Sequence, residues 1–352
     1  MDADRADWLS DPVSLCHADL LEARENFFAR LDQVFTGVVS EQPLLLCGIN
    51  GASSIDPYTD PEGWVYAALD NLSATAGQML QRCTSGDLTA FRPLVLEFGP
   101  YGVHFIDRIY GARVTLYEDQ WWSEYLQTPV GELTRPDLDR DPTWELARRA
   151  AAAFVESGVT VPLFGLPTLS SALNVLLNLY GESALLTMHT DPDAVRHDLF
   201  VINDLLCELH AWYRDHIPAP QLQPVVAAQR CQPRRHSQLC GCSTHLISAA
   251  MYRDFIADLD DALLSVYGSG GMIHLCGAHK QHIPTWREMA SVRAVQVNDR
   301  AAEDLPLYFP ELRQDQIIYL NPTDTMTVSW ALEITGGERL IIVADPNSLS
   351  SG

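Results

Sequence analysis

Short apolar runs alternate along the chain with Gly- or Pro-containing loops and amphipathic stretches. Eight of these runs have the length of a strand, and most are apolar on both faces instead of alternating. They are Pro43–Ile49, Arg92–Phe98, Val159–Phe164, Gln223–Ala228, Met272–Cys276, Val292–Val297, Gln316–Leu320 and Arg339–Ala344. Strands that are apolar on both faces are typical of parallel sheets covered by helices. The pattern predicts an α/β fold, a (β/α)8 TIM barrel.

The stretches between the runs carry helix signals. Ser170–Tyr180 begins at a serine that can cap a helix and is followed by Gly181, and the next helix opens at Asp191-Pro192. A third helix is predicted over Ser248–Tyr267. The first part of the chain also has a helical pattern, which predicts an N-terminal helical extension over residues 1–40 and a single barrel domain over residues 41–352.

Composition narrows the functional class. Hydrophobic residues make up 47% of the chain, and 46 acidic against 23 basic residues give a net charge of −23. Such a charge argues against nucleic acid or an anionic membrane as partner. The acidic N-terminus has no secretory signal pattern, and no run approaches the roughly 18 apolar residues of a membrane span. We therefore expect a cytoplasmic protein whose eight cysteines are reduced and free to bind metal.

One strand-like run delivers two candidate metal ligands. In an extended strand, residues two apart project from the same face, so His274 and Cys276 are expected to point into one site. Imidazole and thiolate are ligands that zinc prefers. The alternative is a hydrogen-bonded core histidine beside a small buried cysteine.

A second cysteine pair stands in a neighbouring part of the predicted barrel. Cys240 and Cys242 are also two apart, in a predicted loop ahead of the helix that leads into the His274 strand. Active sites of such barrels lie at the carboxyl ends of the strands. The pair supplies either further zinc ligands or packing cysteines. His279 and His282 follow at helical spacing, and a solvated or helix-packing role is favoured for them over metal ligation.

Two carboxylates at predicted strand ends are candidate catalytic residues. Glu97 ends the run Arg92–Phe98 and is expected either to orient a substrate or to cap local structure. Asp299 follows the run after the His274 strand, where it can act as a ligand or as a partner of His274.

Four further residues are candidates for binding a cofactor or substrate. Tyr101 and His104 follow glycines next to Glu97 and are expected to line the opening, or simply to pack. Arg234 and Arg235 belong to the basic cluster of residues 230–236, which can hold a carboxylate or phosphate or lie in a solvated loop.

Several segments together resemble the uroporphyrinogen decarboxylase superfamily. They are residues 181–218 with the opening Thr190–Val195, Ile247–Phe255, and Ile273–Gly277. The order of elements matches over about residues 90 to 345, and the specific motif similarities lie between residues 180 and 280. The resemblance implies a (β/α)8 barrel.

Within that superfamily the chain is closer to one branch than to the other. The decarboxylase branch holds its tetrapyrrole with an N-terminal arginine-rich motif, whereas residues 42–50 contain no arginine. The zinc-dependent corrinoid methyltransferase branch holds its metal with an H-x-C-G pair, which here is His274 and Cys276. This resemblance implies a Zn²⁺ site, a thiol or thiolate acceptor, and a corrinoid or methylcobamide as substrate or on a partner protein.

The resemblance also leaves one ligand open. The branch takes its third ligand from a cysteine on the last strand, but this chain has no cysteine after Cys276. Either Asp345 or a thiolate from Cys240 or Cys242 is expected in its place.

Two other functions remain open on the sequence. One is a metal-independent decarboxylase or lyase of a small carboxylated substrate, with Arg234 and Arg235 as anion anchor and Glu97 or Asp299 handling the proton. The other is a non-catalytic barrel that binds a corrinoid or another small molecule. Homodimerisation is expected only because it is common.

Overall fold

The apolar runs contain or overlap most of the parallel strands of a mixed α/β fold, whereas residues 225–228 of the run Gln223–Ala228 lie outside the described residues. A computed structural model describes residues 9–37, 44–84, 91–224 and 230–343. In chain order its strands are β1 (Leu44–Leu46), β2 (Ile49–Asn50), β3 (Leu94–Glu97), β4 (Val114–Tyr117), β5 (Gln120–Ser123), β6 (Leu163–Gly165), β7 (Leu222–Gln223), β8 (Ser237–Cys240), β9 (Gly271–Cys276), β10 (Val292–Asn298), β11 (Ile317–Leu320) and β12 (Leu340–Val343).

The strands make two parallel sheets and one hairpin. The larger sheet has the order β1-β12-β11-β10-β9-β8, the smaller one β2-β3-β6-β7, and β4 pairs with β5. β1 and β2 follow each other within residues 44–50, so this segment joins the two sheets. No ladder between β7 and β8 is seen in the described residues. The arrangement is compatible with a TIM-barrel-like fold. The described residues form two parallel sheets and do not show the closure of the predicted eight-stranded barrel.

Helices lie between the strands along the chain. They are α1 (Ala18–Phe35), α2 (Pro61–Thr84), α3 (Phe105–Ile109), α4 (Pro142–Glu156), α5 (Ala172–Tyr180), α6 (Glu182–Thr190), α7 (Pro192–His216), α8 (Ala249–Met251), α9 (Ala257–Ser265), α10 (Ile283–Glu288), α11 (Arg300–Glu303), α12 (Leu305–Glu311) and α13 (Val328–Thr335). Over the described ranges, no helix is both long and apolar enough to cross a membrane.

Local sequence signals set most of these boundaries. Ser171, one residue after the predicted start, caps α5 by accepting a hydrogen bond from the Asn174 amide. Asp191 caps α7 in the same way, as predicted. The predicted single helix over Ser248–Tyr267 consists of α8 and α9 with a π-helical turn over Tyr252–Ile256 between them.

The sequence pattern missed two elements. β8 has only two apolar residues among its four. Its first residue, Ser237, is buried, and its hydroxyl donates a 2.8 Å hydrogen bond to the Leu264 carbonyl, which offsets the cost of burying it. The hairpin of β4 and β5 turns through Glu118 and Asp119, both with positive φ. A strand that contains polar residues with hydrogen-bond partners is not recognised as an apolar run in the sequence.

The helix of the N-terminal extension packs against the amino ends of the strands. Leu20, Phe27 and Phe28 of α1 are buried in the same core as the sheets. The buried Arg24 donates hydrogen bonds to the carbonyls of Thr160 and Val161, just ahead of β6. The candidate metal ligands lie at the opposite edge of the sheet, at the carboxyl ends of the strands.

Candidate metal centre

Two neighbouring strands bring three of the predicted ligands together. Cys240 on β8 pairs with His274 on β9, which pairs in turn with Gln296 on β10. Residues paired in this way across parallel strands lie on one face of the sheet. Cys276 is two residues further along β9 and lies on the same face. All of them sit at or near the carboxyl ends of their strands.

The donor atoms of this cluster lie close enough to share one metal ion. The Sγ atoms of Cys240 and Cys242 are 3.4 Å apart, and Cys276 Sγ lies 3.2 Å from His274 Nε2. The ligand atoms of Cys240, Cys242 and His274 all lie within 4.8 Å of one another. Tetrahedral zinc, with its bond lengths to sulfur and nitrogen, separates such atoms by about 3.5–3.8 Å. Cys240, Cys242 and His274 therefore fit zinc in chemistry and in spacing, and Cys276 lies beside His274 but outside this mutually close group.

Hydrogen bonds within the cluster shift the pKa values of its three thiols in different directions. The hydrogen bond with Cys242 lowers the pKa of Cys240 to about 6, against the effect of burial, and nearby His274 lowers it further. The bond with Cys242 is also the main reason that the pKa of Cys276 falls to about 3. Conversely, its two thiol neighbours raise the pKa of Cys242. The Cys240 and Cys276 thiols are therefore favoured to ionise over the Cys242 thiol, and metal binding by Cys242 would displace its proton.

A chain of polar side chains orients His274. Its Nδ1 hydrogen-bonds to Gln296 Oε1, and Gln296 Nε2 donates to Asn321 Oδ1. A proton on Nδ1 directs the lone pair of Nε2 toward the sulfur atoms. Histidine ligands of metals are commonly held by such partners. The only sequence signal for Gln296 is a polar residue inside the apolar run VRAVQV.

Replacing Gln296 by leucine is expected to weaken zinc binding by about 10- to 100-fold, because His274 loses the partner that fixes its ring. Competition with a chromophoric chelator measures this affinity, and Gln314→Leu, at an exposed position, is the matched control. An unchanged affinity in Gln296→Leu would remove Gln296 from this role.

Two further histidines tie the ligand loops together. His279 Nε2 lies 2.7 Å from the Cys276 carbonyl, and His279 Nδ1 lies 2.9 Å from Thr244 Oγ1. Thr244 Oγ1 is also 2.8 Å from the carbonyl of Gly241, between the two cysteines of that loop. His282 Nε2 contacts the Thr244 carbonyl at 2.8 Å. Both histidines are fully buried, so of the two predicted roles they have the packing one.

A cavity of about 310 Å³ opens at the carboxyl ends of β2, β3 and β6. Glu97 lies in its wall, and Glu97 Oε2 accepts a 2.9 Å hydrogen bond from Asn50 Nδ2. Among the residues that the structure describes, Glu97 Oε1 is buried and has no hydrogen-bond partner. Burial raises the pKa of Glu97 to about 8, although Arg230 lowers it. Glu97 is therefore mainly a neutral carboxylic acid at pH 7.

The side chain of Glu97 depends on the glycine beside it. Gly165 pairs with Glu97 across β3 and β6, and a Cβ at position 165 would lie 2.8 Å from Glu97 Cγ. Only a residue without a side chain leaves this space for Glu97.

Among solved structures, the chain is similar to a methyltransferase from Methanosarcina mazei, with 13% sequence identity and a TM-score of 0.61. The match covers 91% of this chain and 93% of that chain. The two proteins share a fold. No family model and no curated protein sequence matches this chain. At this identity the likeness concerns architecture, and the chemistry has to be argued from the site.

Of the predicted residues, Tyr101 contacts the cavity wall and His104 is paired with a buried carboxylate. The Tyr101 amide donates to the Tyr58 hydroxyl at 3.1 Å, and their rings are 4.9 Å apart. Tyr58 is part of the cavity wall. His104 Nδ1 is bound at 2.6 Å to the carboxylate of the fully buried Asp107. Tyr101 thus borders the cavity through Tyr58, whereas His104 is engaged with Asp107.

Asp299 is linked to the cysteine cluster through the side chain of Asn298. Asn298 Nδ2 lies 3.1 Å from Asp299 Oδ2 and 3.6 Å from Cys276 Sγ. Asp299 adopts a positive φ of 48° directly after β10. The structure thus places Asp299 next to a neighbour of Cys276. Asp345, the other oxygen ligand considered, lies outside the described residues.

The structure does not bring Arg234 and Arg235 to this site. Both precede β8, at the amino edge of the sheet, whereas the sulfur atoms lie at the opposite edge. Arg234 donates to both carboxylate oxygens of Glu25 in α1 at 2.6 Å. Arg230, from the same basic cluster, is the arginine whose charge interacts with Glu97 and with the three thiols.

Proposed function

We propose that this chain is a zinc-dependent methyltransferase of the (β/α)8 barrel type, which moves a methyl group from a corrinoid or another methyl donor to a thiol or thiolate acceptor. The observation that carries the proposal is the cluster of Cys240, Cys242, His274 and Cys276. Three thiols and an imidazole meet where the strands end, which is where barrels of this type place their chemistry.

Cys240, Cys242 and His274 would hold the zinc ion, and Cys276, in contact with His274, is a further candidate donor. Bound there, zinc supplies a Lewis acid that stabilises a coordinated thiol as the nucleophilic thiolate. A catalytic zinc site usually takes three protein donors and leaves one position for substrate. Cys240, Cys242 and His274 would supply these three donors, which would leave the remaining position for the substrate thiol.

The other residues of the site position the reactants and exclude water. His279 and Thr244 hold the two ligand loops at a fixed distance. The rings of Trp64 and Phe98, 5.3 Å apart, form an apolar part of the cavity wall. In the reaction, the acceptor sulfur forms a bond to the methyl carbon. The bond from that carbon to the donor breaks, and its electron pair stays with the donor.

Two further observations support this proposal. The chain shares its fold with a methyltransferase, and residues 181–277 resemble the zinc-dependent branch of the uroporphyrinogen decarboxylase superfamily. The corrinoid donor comes from that resemblance alone, so the test below uses a corrinoid directly.

The test is transfer from methylcobalamin to simple thiols, both neutral and acidic. The zinc-loaded chain is expected to demethylate methylcobalamin, which the visible spectrum follows, and to form the methyl thioether, which mass spectrometry detects. The zinc-free chain is the control and is expected to form none. Equal rates with and without zinc would contradict the proposal. A chain that binds no zinc under reducing conditions would favour the metal-independent lyase.

A further inference from the structure

The hairpin of β4 and β5 has an exposed edge strand. Among the described strands, β4 pairs with β5 alone, and its residues Thr115, Leu116 and Tyr117 are all exposed. Leu116 keeps 56% of its surface exposed and Tyr117 keeps 64%. The strand contains neither Pro nor Lys, which commonly protect the edge strands of monomeric proteins from pairing. The free edge of β4 is therefore open to a further strand.

The hydrogen bonds of the hairpin show which backbone groups face this free edge. The Glu124 amide donates to the Arg113 carbonyl at 2.9 Å, so these two residues form a hydrogen-bonded pair. In an antiparallel ladder, such pairs alternate with pairs that make no hydrogen bonds to each other. The amide and carbonyl groups of Val114 and Leu116 therefore point away from β5 and are available to a strand on the other side.

β5 is held against the body of the protein. The Trp121 ring lies over Gly102, where a Cβ atom would be 3.1 Å from Trp121 Cδ1. The centre of one Trp121 ring is 5.4 Å from that of Tyr101 and 6.0 Å from that of Tyr58, which belongs to the cavity wall. These contacts fix the hairpin with β4 as its outer strand.

We propose that β4 pairs with β4 of a second copy of this chain, so that two hairpins form one four-stranded antiparallel sheet. A two-fold axis perpendicular to the sheet relates the two copies, and each uses the same surface. Residues that lie directly opposite each other share a face of the sheet, so the axis passes between a residue and its own counterpart. With the axis at Leu116, the two Leu116 residues exchange the hydrogen bonds of their outward-facing backbone groups.

The charges of the hairpin select this register. Glu118 and Asp119 form an acidic tip, and Arg113, with 73% of its side chain exposed, lies at the base. An axis at Leu116 places Arg113 opposite Asp119 of the second copy, twice in each dimer, and such opposite-charge pairs stabilise a ladder. An axis at Thr115 would instead place Arg113 opposite Tyr117. Arg113 is also 3.3 Å from Glu124, and its guanidinium has donors for both carboxylates.

Exposed apolar side chains on and beside the hairpin supply the contact area. They are Val103, Leu116, Tyr117, Trp122 and Tyr125, each more than half exposed. Since an aromatic side chain buries about 150–250 Å², these residues offer on the order of 500 Å² per copy. A specific interface takes roughly 800 Å² per partner, part of which the strand backbone and polar side chains provide. This area predicts a dimer with a Kd in the micromolar range.

Sedimentation of the full chain from about 1 to about 200 μM tests the pairing. The average mass is expected to rise from the 39.1 kDa of one chain toward twice that value. Leu116→Lys is expected to weaken association at least about tenfold, because two like charges then meet at the axis. Phe200→Lys, at a 64% exposed position of α7, is the matched control and is expected to associate like the wild type.

A cross-link tests the register. Residues of a hydrogen-bonded antiparallel pair have Cα atoms about 5.5 Å apart, which is within the range of a disulfide. Under mild oxidation, Leu116→Cys is expected to form a covalent dimer on a non-reducing gel. Phe200→Cys and the wild type, which keep the eight native cysteines, are expected to stay mainly monomeric on that gel.

Three outcomes would overturn the inference. They are a wild type that stays monomeric at every concentration, a dimer that Leu116→Lys leaves unchanged, and equal cross-linking of Leu116→Cys and Phe200→Cys. The cross-link keeps the inference testable if Leu116→Lys does not fold, which circular dichroism would show. The inference goes beyond the proposed function, because neither experiment needs zinc or a methyl donor. Its failure would therefore leave the methylcobalamin assay unaffected.

Discussion

Replacing His274 by alanine is expected to lower the affinity for zinc by more than a hundredfold and to abolish methyl transfer. His274 is the only nitrogen donor of the cluster and is in contact with Cys276. Its loss removes a direct ligand, which costs more than the 10- to 100-fold typical of an outer partner. Metal analysis after dialysis against a chelator measures the loss. The reduced wild type is expected to retain about one zinc ion per chain.

The cysteines allow a matched set of variants for this prediction. Cys240→Ser, Cys242→Ser and Cys276→Ser are each expected to lose stoichiometric zinc. Cys16→Ser changes an exposed cysteine that is distant from the cluster in sequence, and this variant is expected to retain stoichiometric zinc. Full zinc content in His274→Ala would show that the metal binds elsewhere. Binding is also expected to weaken as the pH falls, because protons compete for thiolate and imidazole.

Replacing Glu97 by glutamine is expected to change how folding stability depends on pH. The pKa of Glu97 is raised from its usual 4.5 to about 8 in the folded chain, mainly by burial. Between these values the folded chain keeps a proton that the unfolded chain releases. Stability from this group is therefore fully present below about pH 4.5 and is lost as the pH rises toward 8. From pH 5 to pH 8 this loss is on the order of 3 kcal/mol.

Urea unfolding at pH 5, 6, 7 and 8 measures the effect. The free energy of unfolding of the wild type is expected to fall relative to that of Glu97→Gln across this range, because the amide does not titrate. Glu156→Gln, at an exposed position of α4, is the matched control, and its curve is expected to run parallel to that of the wild type. Parallel curves for Glu97→Gln as well would show that Glu97 is ionised in the folded chain.

Much of the fold was predictable from local patterns. The runs Arg92–Phe98 and Gln316–Leu320 contain β3 and β11, and Asp191-Pro192 opens α7 as predicted. Such signals are local, because burial on both faces requires apolar residues and a helix end requires a cap. β8 was missed because its buried polar residues are satisfied by distant partners. The two-sheet arrangement depends on pairings that the sequence does not display.

The candidate site was predictable only in part. His274 and Cys276 follow from the two-residue period of one strand. The pairing of Cys240 with His274 depends on β8 and β9 being neighbours, which no local pattern encodes. Gln296 and Arg230 have no sequence signal beyond a polar residue in an apolar run and a member of a basic cluster. The same cluster suggested Arg234 and Arg235, which lie at the opposite edge of the sheet.

The sequence by itself determined the strand and helix periods, the acidic charge and the pair His274 and Cys276, because each depends on neighbours within a few residues. Only the tertiary structure decided that Cys240 and Cys242 join this pair and that Gln296 orients His274. These contacts join residues 22 and 34 positions apart in the chain. Their geometry is set by how parallel strands align at their carboxyl ends.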